Sequence, residues 1–157
     1  MPPSSHRIGL ISDTHGLLRV GNYDALAGVE LILHAGDVGG DDIHDEQQTI
    51  APVHAVSGNT DFPGQYDSEF IVTIGGRSVH VSHGHEVGSP TPEKLAARYS
   101  QDVLVYGHTH QQRVTRVGER LVINPGAAGP RRFNLKASVA VLTIAPDDTD
   151  VEIIALD

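Results

Sequence analysis

Short apolar runs separated by polar, glycine-bearing loops recur along the whole chain. The first, 6–12 (HRIGLIS), runs into Asp13-Thr14-His15-Gly16, the second, 29–34 (VELILH), into Ala35-Gly36-Asp37, and the third, 53–56, into Ser57-Gly58-Asn59. Each run is brief, dense in branched residues and bounded by turn formers, which predicts a buried strand feeding a loop. The stretches between them predict helices over 23–27 and 42–50, so the first sixty residues read strand, helix, strand, helix, strand with right-handed crossovers. Beyond them the pattern changes. Residues 69–74 and 78–82 flank Gly75-Gly76-Arg77 as the arms of a hairpin would. A helix is expected over 91–100, with Pro92 in its first turn and Glu93 near its start. Strands follow over 103–106, 113–117, 120–124, 137–144 and 151–156. An alternating α/β half followed by a strand-rich half is accommodated by two packed sheets with helices outside. Residues 1–5 read as a loose lead-in, and nothing later resembles a linker or repeat, so one domain over 1–157 is expected.

Composition narrows the function. At 157 residues one core suffices to bury roughly two thirds of the surface the unfolded chain exposes. The absence of cysteine excludes disulfides, thiolate zinc sites and cysteine nucleophiles. The apolar run 8–11 is too short for a signal-peptide core and no stretch could span a bilayer, so a cytoplasmic protein without membrane attachment is expected. A formal charge of −9 argues against bulk nucleic-acid binding. Ten histidines beside three phenylalanines and no tryptophan is an odd balance, and it points to imidazole chemistry.

Polar clusters fall at the carboxyl ends of the expected strands, the edge where open α/β sheets bind ligands. Asp13 and His15 end the first strand, Asp37 the second, Asn59 the third, His83 the hairpin, and His108 with His110 the strand 103–106. In an extended stretch residues i and i+2 point the same way, so Asp13 with His15, and His108 with His110, are each expected to aim two donors into one pocket. Gly16, Gly36, Gly58, Gly84 and Gly107 stand beside the candidates and leave room for an ion or a phosphate. Seven nitrogen and oxygen donors without sulfur suit borderline to hard divalent ions. One ion has too few positions for seven ligands, whereas two ions about 3.5–4 Å apart use them all. Taken singly, Asp13 is as well read as a helix cap and Asn59 as a turn residue. The joint pattern over five segments carries the metal reading, and His6, His44, His54 and His80, which lack that context, are given structural roles.

Asp13-Thr14-His15, Gly36-Asp37, Gly58-Asn59, His83-Gly84-His85 and Gly107-His108-Thr109-His110 resemble, in order, the motifs of the calcineurin-like metallophosphoesterase superfamily. Ile123-Asn124-Pro125-Gly126 and the compact length are similar to its small prokaryotic phosphodiesterase branch. The resemblance covers roughly residues 6 to 145. It implies a four-layer α-β-β-α sandwich with two mixed sheets, and a hydrolase acting on phosphodiesters or phosphomonoesters. It also implies two divalent ions, manganese first, with iron, zinc, nickel or cobalt as alternatives. Carried over by motif, Asp13, His15, Asp37 and His110 hold one ion and Asp37, Asn59, His83 and His108 the other, with Asp37 bridging and helping to hold a metal-bound hydroxide. Asp61, His85 and His34 are then supporting residues around the ligands.

The chain also departs from the family pattern. Many members carry a histidine after the motif asparagine, where this chain has Thr60, which is no general acid at neutral pH. Ala127 replaces a serine common in the branch, and Arg131 and Arg132 lie just beyond. The expected partner is a small phosphate ester, with no membrane or bulk nucleic acid and with room for a homo-oligomer. The rival from another class is a protein-binding scaffold on the same fold, as in the retromer subunit that resembles this branch with partly eroded motifs. A histidine-rich amidohydrolase barrel is excluded by length.

Overall fold

The computed structural model describes residues 5–131 and 135–156. In chain order it contains β1 (His6–Ile11), α1 (Gly21–Ala25), β2 (Leu31–His34), α2 (Asp41–Gln47), β3 (Val53–Ala55), β4 (Glu69–Ile74) and β5 (Arg77–Ser82). A short 3-10 turn (His85–Val87) leads to α3 (Pro92–Arg98), followed by β6 (Val103–Val105), β7 (Arg113–Val117), β8 (Arg120–Asn124), β9 (Ser138–Ala145) and β10 (Asp148–Ala155). These form two five-stranded mixed sheets, ordered β10-β9-β1-β2-β3 and β4-β5-β6-β8-β7.

Side-chain alternation builds the layers. Ile8, Leu10 and Leu33 of the first sheet meet Val79, Val81, Val103, Val105 and Ile123 of the second in the central core. Ile11, Ile32 and Val139 point the other way, onto Leu26 and Leu156, and Ile43 of α2 covers Val38 and Ala55. On the far side Leu95 of α3 covers Leu104, Tyr106 and Val122. Full burial of such a side chain stabilises by about 1.5–3 kcal/mol, so both faces of both sheets contribute, as the four-layer α-β-β-α arrangement requires.

Boundaries moved where polar positions obscured the pairing. The hairpin turn is Gly75-Gly76 alone, at φ 56° and 82°, because a two-residue turn of this hand needs positive φ at both positions; Arg77 opens β5. The last strand starts at Asp148, three residues before its apolar part, since register runs unbroken from Asp148 opposite Ala145 to Ala155 opposite Ser138. The strand-rich half is also divided between the sheets: β9 lies antiparallel to β1 and returns the chain to the first sheet. α3 is shorter than 91–100 at both ends. Thr91 caps it, its hydroxyl accepting from Lys94 N–H at 3.2 Å, and Tyr99 is already extended.

What matters for chemistry is strand direction. β1, β2 and β3 are mutually parallel, as are β5, β6 and β8, so their carboxyl-end loops gather at edges of the two sheets that share the central core.

Candidate metal centre

Backbone hydrogen bonds lace these loops together. Asp13 N–H donates to Gly36 O (2.9 Å), His15 N–H to Asp37 O (2.9 Å) and Gly107 N–H to His83 O (2.9 Å). Among the described residues, five non-glycine residues have positive φ: Asp13 (54°), His15 (46°), Asp37 (55°), His108 (75°) and His110 (65°). The expectation that extended i, i+2 geometry aims the paired donors is therefore corrected. The donors converge through left-handed turns, a conformation that disfavours side chains by about 1–2 kcal/mol per residue and that Asp and His tolerate better than most. All five are residues singled out as metal donors.

The donor atoms approach one another closely. His15 Nε2 lies 3.8 Å from Asp13 Oδ1 and 3.6 Å from Asp37 Oδ2, and His110 Nε2 lies 3.6 Å from Asp13 Oδ1. His83 Nε2 is 3.2 Å from Asp37 Oδ2 and 3.8 Å from Asp13 Oδ1. His108 Nδ1 is 3.3 Å from His83 Nε2 and 3.2 Å from Asn59 Oδ1. All seven sequence-selected donors are thus linked into one cluster, and Asp37 Oδ2 stands between its two halves. Asp13, His15 and His110, and separately Asp13, Asp37 and His83, are compact enough to hold an ion.

Proton accounting tests the fit. His83 Nδ1 faces the carbonyl of Ala35 at 2.8 Å and must donate to it, so in the neutral ring Nε2 presents a lone pair to Asp37. Asp13 Oδ2 accepts from the Ser12 hydroxyl (2.7 Å) and from His108 N–H (3.1 Å). Its Oδ1, like His15 Nε2, is buried without a hydrogen-bond partner among the described residues. Acceptors outnumber protons here. Atoms about 2.0–2.2 Å from a common ion sit roughly 3–3.6 Å apart, and the donor set fits divalent cations.

The electrostatics agree. Burial pushes the Asp37 carboxyl up, but the His83 ring and the Thr60 N–H and hydroxyl outweigh it and hold Asp37 below the usual carboxylate range. Burial pushes His83 down, yet its hydrogen bond to Asp37 and the charges of Asp13 and Asp37 raise it overall. His108 is lowered by burial and then by His83. Two nearly inaccessible carboxylates favour a positive charge among them.

Residues around the donors fix this arrangement. His34 Nδ1 accepts from Gly36 N–H (3.0 Å), which leaves Nε2–H to donate to Thr14 Oγ1 (3.0 Å), whose hydroxyl donates to Val38 O (2.7 Å). This chain ties the Asp13–His15 turn to the Asp37 turn. Burial, followed by the charge of His83, pushes His34 down to about 3 and keeps it neutral. Asp61 accepts from Gly58 N–H (2.9 Å), Val38 N–H (3.2 Å) and Gly39 N–H (3.2 Å), which makes it a brace between loops. Thr60 N–H donates to Asp37 Oδ1 at 2.9 Å. His85 is more exposed, its ring centroid 5.3 Å from that of His83 and 6.2 Å from that of His108.

Sequence reasoning missed Ser12, which orients Asp13, and the role of Asn124. The Asn124 amide is fully buried; it donates to Gly107 O (3.3 Å) and Thr109 Oγ1 (3.0 Å) and accepts from Gly126 N–H (2.9 Å). Only its conspicuous Asn-Pro-Gly setting signalled it. Gly58 and Gly107 are required by close approach: a Cβ on either would strike Asp37 or Asp13 respectively. The other histidines have local partners. His6 pairs with Glu30, His54 stacks on Phe70, His80 on Tyr99 and His44 on Tyr66. Arg131 is exposed and Arg132 lies outside the described residues.

Comparison with known proteins is consistent with this geometry. Residues 7–147 match the calcineurin-like phosphoesterase superfamily domain. A probable metallophosphoesterase of Methanothermobacter thermautotrophicus is 36% identical, the match covering 94% of this chain and 91% of that protein. Another from Bacillus subtilis is 32% identical, over 90% of this chain and 86% of the relative. Among solved structures, Vacuolar Protein Sorting 29 from Cryptosporidium parvum has a similar fold, with TM-score 0.81 and 22% identity over 96% of this chain and 97% of its own. A protein described as a novel archaeal phosphodiesterase gives TM-score 0.71 at 22% identity, over 94% of this chain and 99% of its own. No helix among the described residues is long and apolar enough to cross a membrane.

Proposed function

The chain belongs to the calcineurin-like phosphoesterase superfamily, and from that premise we propose that it is a phosphodiesterase working with two divalent ions. The single observation that carries this reading is the coincidence of backbone strain with donor identity. All five positive-φ non-glycine residues among those described are donors of the cluster, and such strain persists where function over-determines it.

In this reading Asp13, His15, Asp37 and His110 hold one ion, and Asp37, Asn59, His83 and His108 the other. When bound, the ions supply charge that acidifies water and neutralises phosphoryl oxygens. The chain's own part is positional. Ser12 and His108 N–H occupy Asp13 Oδ2 so that Oδ1 faces the centre, and Ala35 O fixes His83 in the tautomer that presents Nε2. Thr60 N–H restrains Asp37, while the Thr60 hydroxyl offers no proton to a departing alkoxide, so acidic leaving groups are favoured. Manganese is the first ion to test for an all-nitrogen-and-oxygen donor set.

The likeness to Vacuolar Protein Sorting 29 also suits a protein-binding scaffold; the complete donor set supports hydrolysis instead. The test is removal of metal with a chelator and refilling with Mn²⁺, following bis(p-nitrophenyl) phosphate hydrolysis and elemental content. Activity should vanish and return with about two ions per chain, Asp37→Ala should lose both ions, and His83→Ala chiefly one. Undiminished turnover by the stripped protein would overturn the proposal.

A further inference from the structure

Beside Asn59 and His85 opens a cleft of about 720 Å³, within the range of small-molecule sites. One wall is the segment 57–69, and the other is Glu86, Arg98 and Tyr99. The polar groups along it divide into committed and uncommitted ones. Asp61 accepts from three backbone N–H groups. Glu86 accepts from Gly84 N–H (2.9 Å) and the Tyr99 hydroxyl (2.8 Å), and Ser57 exchanges hydrogen bonds with the Tyr66 backbone. The Tyr66 hydroxyl donates to Asp41 at 3.0 Å.

Three charged groups keep exposed atoms for a ligand, although each of the two carboxylates among them already has one histidine partner. The Asp67 and Glu69 side chains are 69% and 48% exposed, their close contacts being His54 at 3.2 Å and His80 at 3.5 Å. Arg98 is exposed, and its guanidinium carbon lies 5.5 Å from the centroid of the Tyr99 ring. The aromatic rings are in use as well: Tyr99 stacks on His80 at 3.8 Å and Tyr66 on His44 at 5.7 Å.

This inventory selects a ligand class. Four carboxylates, Asp61, Asp67, Glu69 and Glu86, against Arg98 disfavour a second phosphate. Tyr99 already has His80 stacked on it and the Arg98 guanidinium carbon 5.5 Å from its centroid, and Tyr66 has His44 on one face, so a nucleobase would compete with contacts these rings already make. A group bearing neighbouring hydroxyls is matched, since carboxylates accept from hydroxyls and a guanidinium donates to them. Building on the phosphodiesterase reading, we propose that this cleft is the subsite for one ester arm of the substrate and that the arm is an uncharged polyol.

The test uses four diesters sharing a p-nitrophenyl ester and differing in the second arm: methyl, 2-hydroxypropyl, glyceryl and thymidine 5′. The 2-hydroxypropyl ester is the reference for the glyceryl ester, because both carry a 2-hydroxyl that can itself attack phosphorus and release p-nitrophenolate. With the Mn²⁺-loaded protein, kcat/KM for the glyceryl ester should exceed that for the 2-hydroxypropyl ester by about tenfold, the effect of one or two net hydrogen bonds. The thymidine ester should gain no such factor over the methyl ester. Glu69→Gln, Asp67→Asn and Arg98→Ala should each bring the glyceryl-to-hydroxypropyl ratio toward unity. Failure to cleave any of the four would refute the phosphodiesterase reading itself. Cleavage of the methyl ester with no glyceryl advantage over the 2-hydroxypropyl ester, with a thymidine advantage over methyl, or with a glyceryl advantage indifferent to all three substitutions would refute the polyol subsite alone.

Discussion

Replacing His15 by glycine and, separately, by alanine isolates the strain of the candidate metal centre. Both substitutions delete the ring, its stacking on His110 at 5.3 Å and its role as a donor, so they differ only in backbone freedom. At φ 46° an alanine retains a left-handed penalty of about 1–2 kcal/mol that glycine escapes. Glycine in turn loses about 0.4–1 kcal/mol through the greater entropy of its unfolded chain. The glycine variant should therefore be the more stable, by about 0.8 kcal/mol at the middle of these ranges. In a protein of 157 residues that is about 2–3 °C in Tm. The assay is thermal and urea unfolding in chelator, which removes any contribution from bound metal. Asn59, absent from the positive-φ residues, is the control: there alanine should be more stable than glycine. An alanine variant at position 15 as stable as the glycine one, or the same order at both positions, would show that the left-handed turns are not strained and would remove the main support for the functional reading.

Other outcomes follow from the surrounding contacts. Asn124→Asp removes the amide donor shared by Gly107 O and Thr109 Oγ1 and should weaken Mn²⁺ binding by about 10–100-fold; calorimetric titration showing unchanged affinity would contradict this. Gly107→Ala would put a Cβ 2.7 Å from Asp13 Oδ2 and still closer to Ser12 Oγ, so it should lower both metal affinity and stability, the latter by about 1–3 kcal/mol, readable by the same titration and by unfolding. Burial holds folded His34 at about 3, below its unfolded value of roughly 6.5, so its stabilising contribution is complete above that pH. It should fade as pH falls toward 3, at up to about 1.4 kcal/mol per pH unit. Urea unfolding of chelated protein from pH 7 to pH 4 should show a shallower slope for His34→Gln, and equal slopes would refute the assignment. Because Thr60 supplies no acid, kcat/KM over diesters differing in leaving-group pKa should fall steeply with basicity, and Thr60→His should flatten that dependence; a flat dependence in the parent would point to another acid.

The apolar runs ending in Asp13 and Asp37 were legible because a strand buried on both faces admits little but branched residues, and the shorter edge strand before Asn59 was marked by the glycine-bearing polar loop that ends it. Candidate donors stood out for the same reason, as chemistry clustered at strand ends. Edges were harder to see. β10 opens with Asp148, Thr149 and Asp150, whose place in a strand is set by pairing with β9 rather than by their own preference.

The sequence by itself determined which residues are candidate donors, that their loops follow strands, and that the elements suit two sheets with helices outside, because those are local matters of burial period and side-chain chemistry. Only the tertiary structure decided that β9 returns to pair with β1, since strand partnership depends on contacts far apart in the chain. It alone showed that left-handed turns, and not extended alternation, aim Asp13, His15, His108 and His110. The same holds for Ser12, His34 and Asn124: each acts on a loop through hydrogen bonds whose partners are brought near only when both sheets have packed, and no spacing along the chain encodes that meeting.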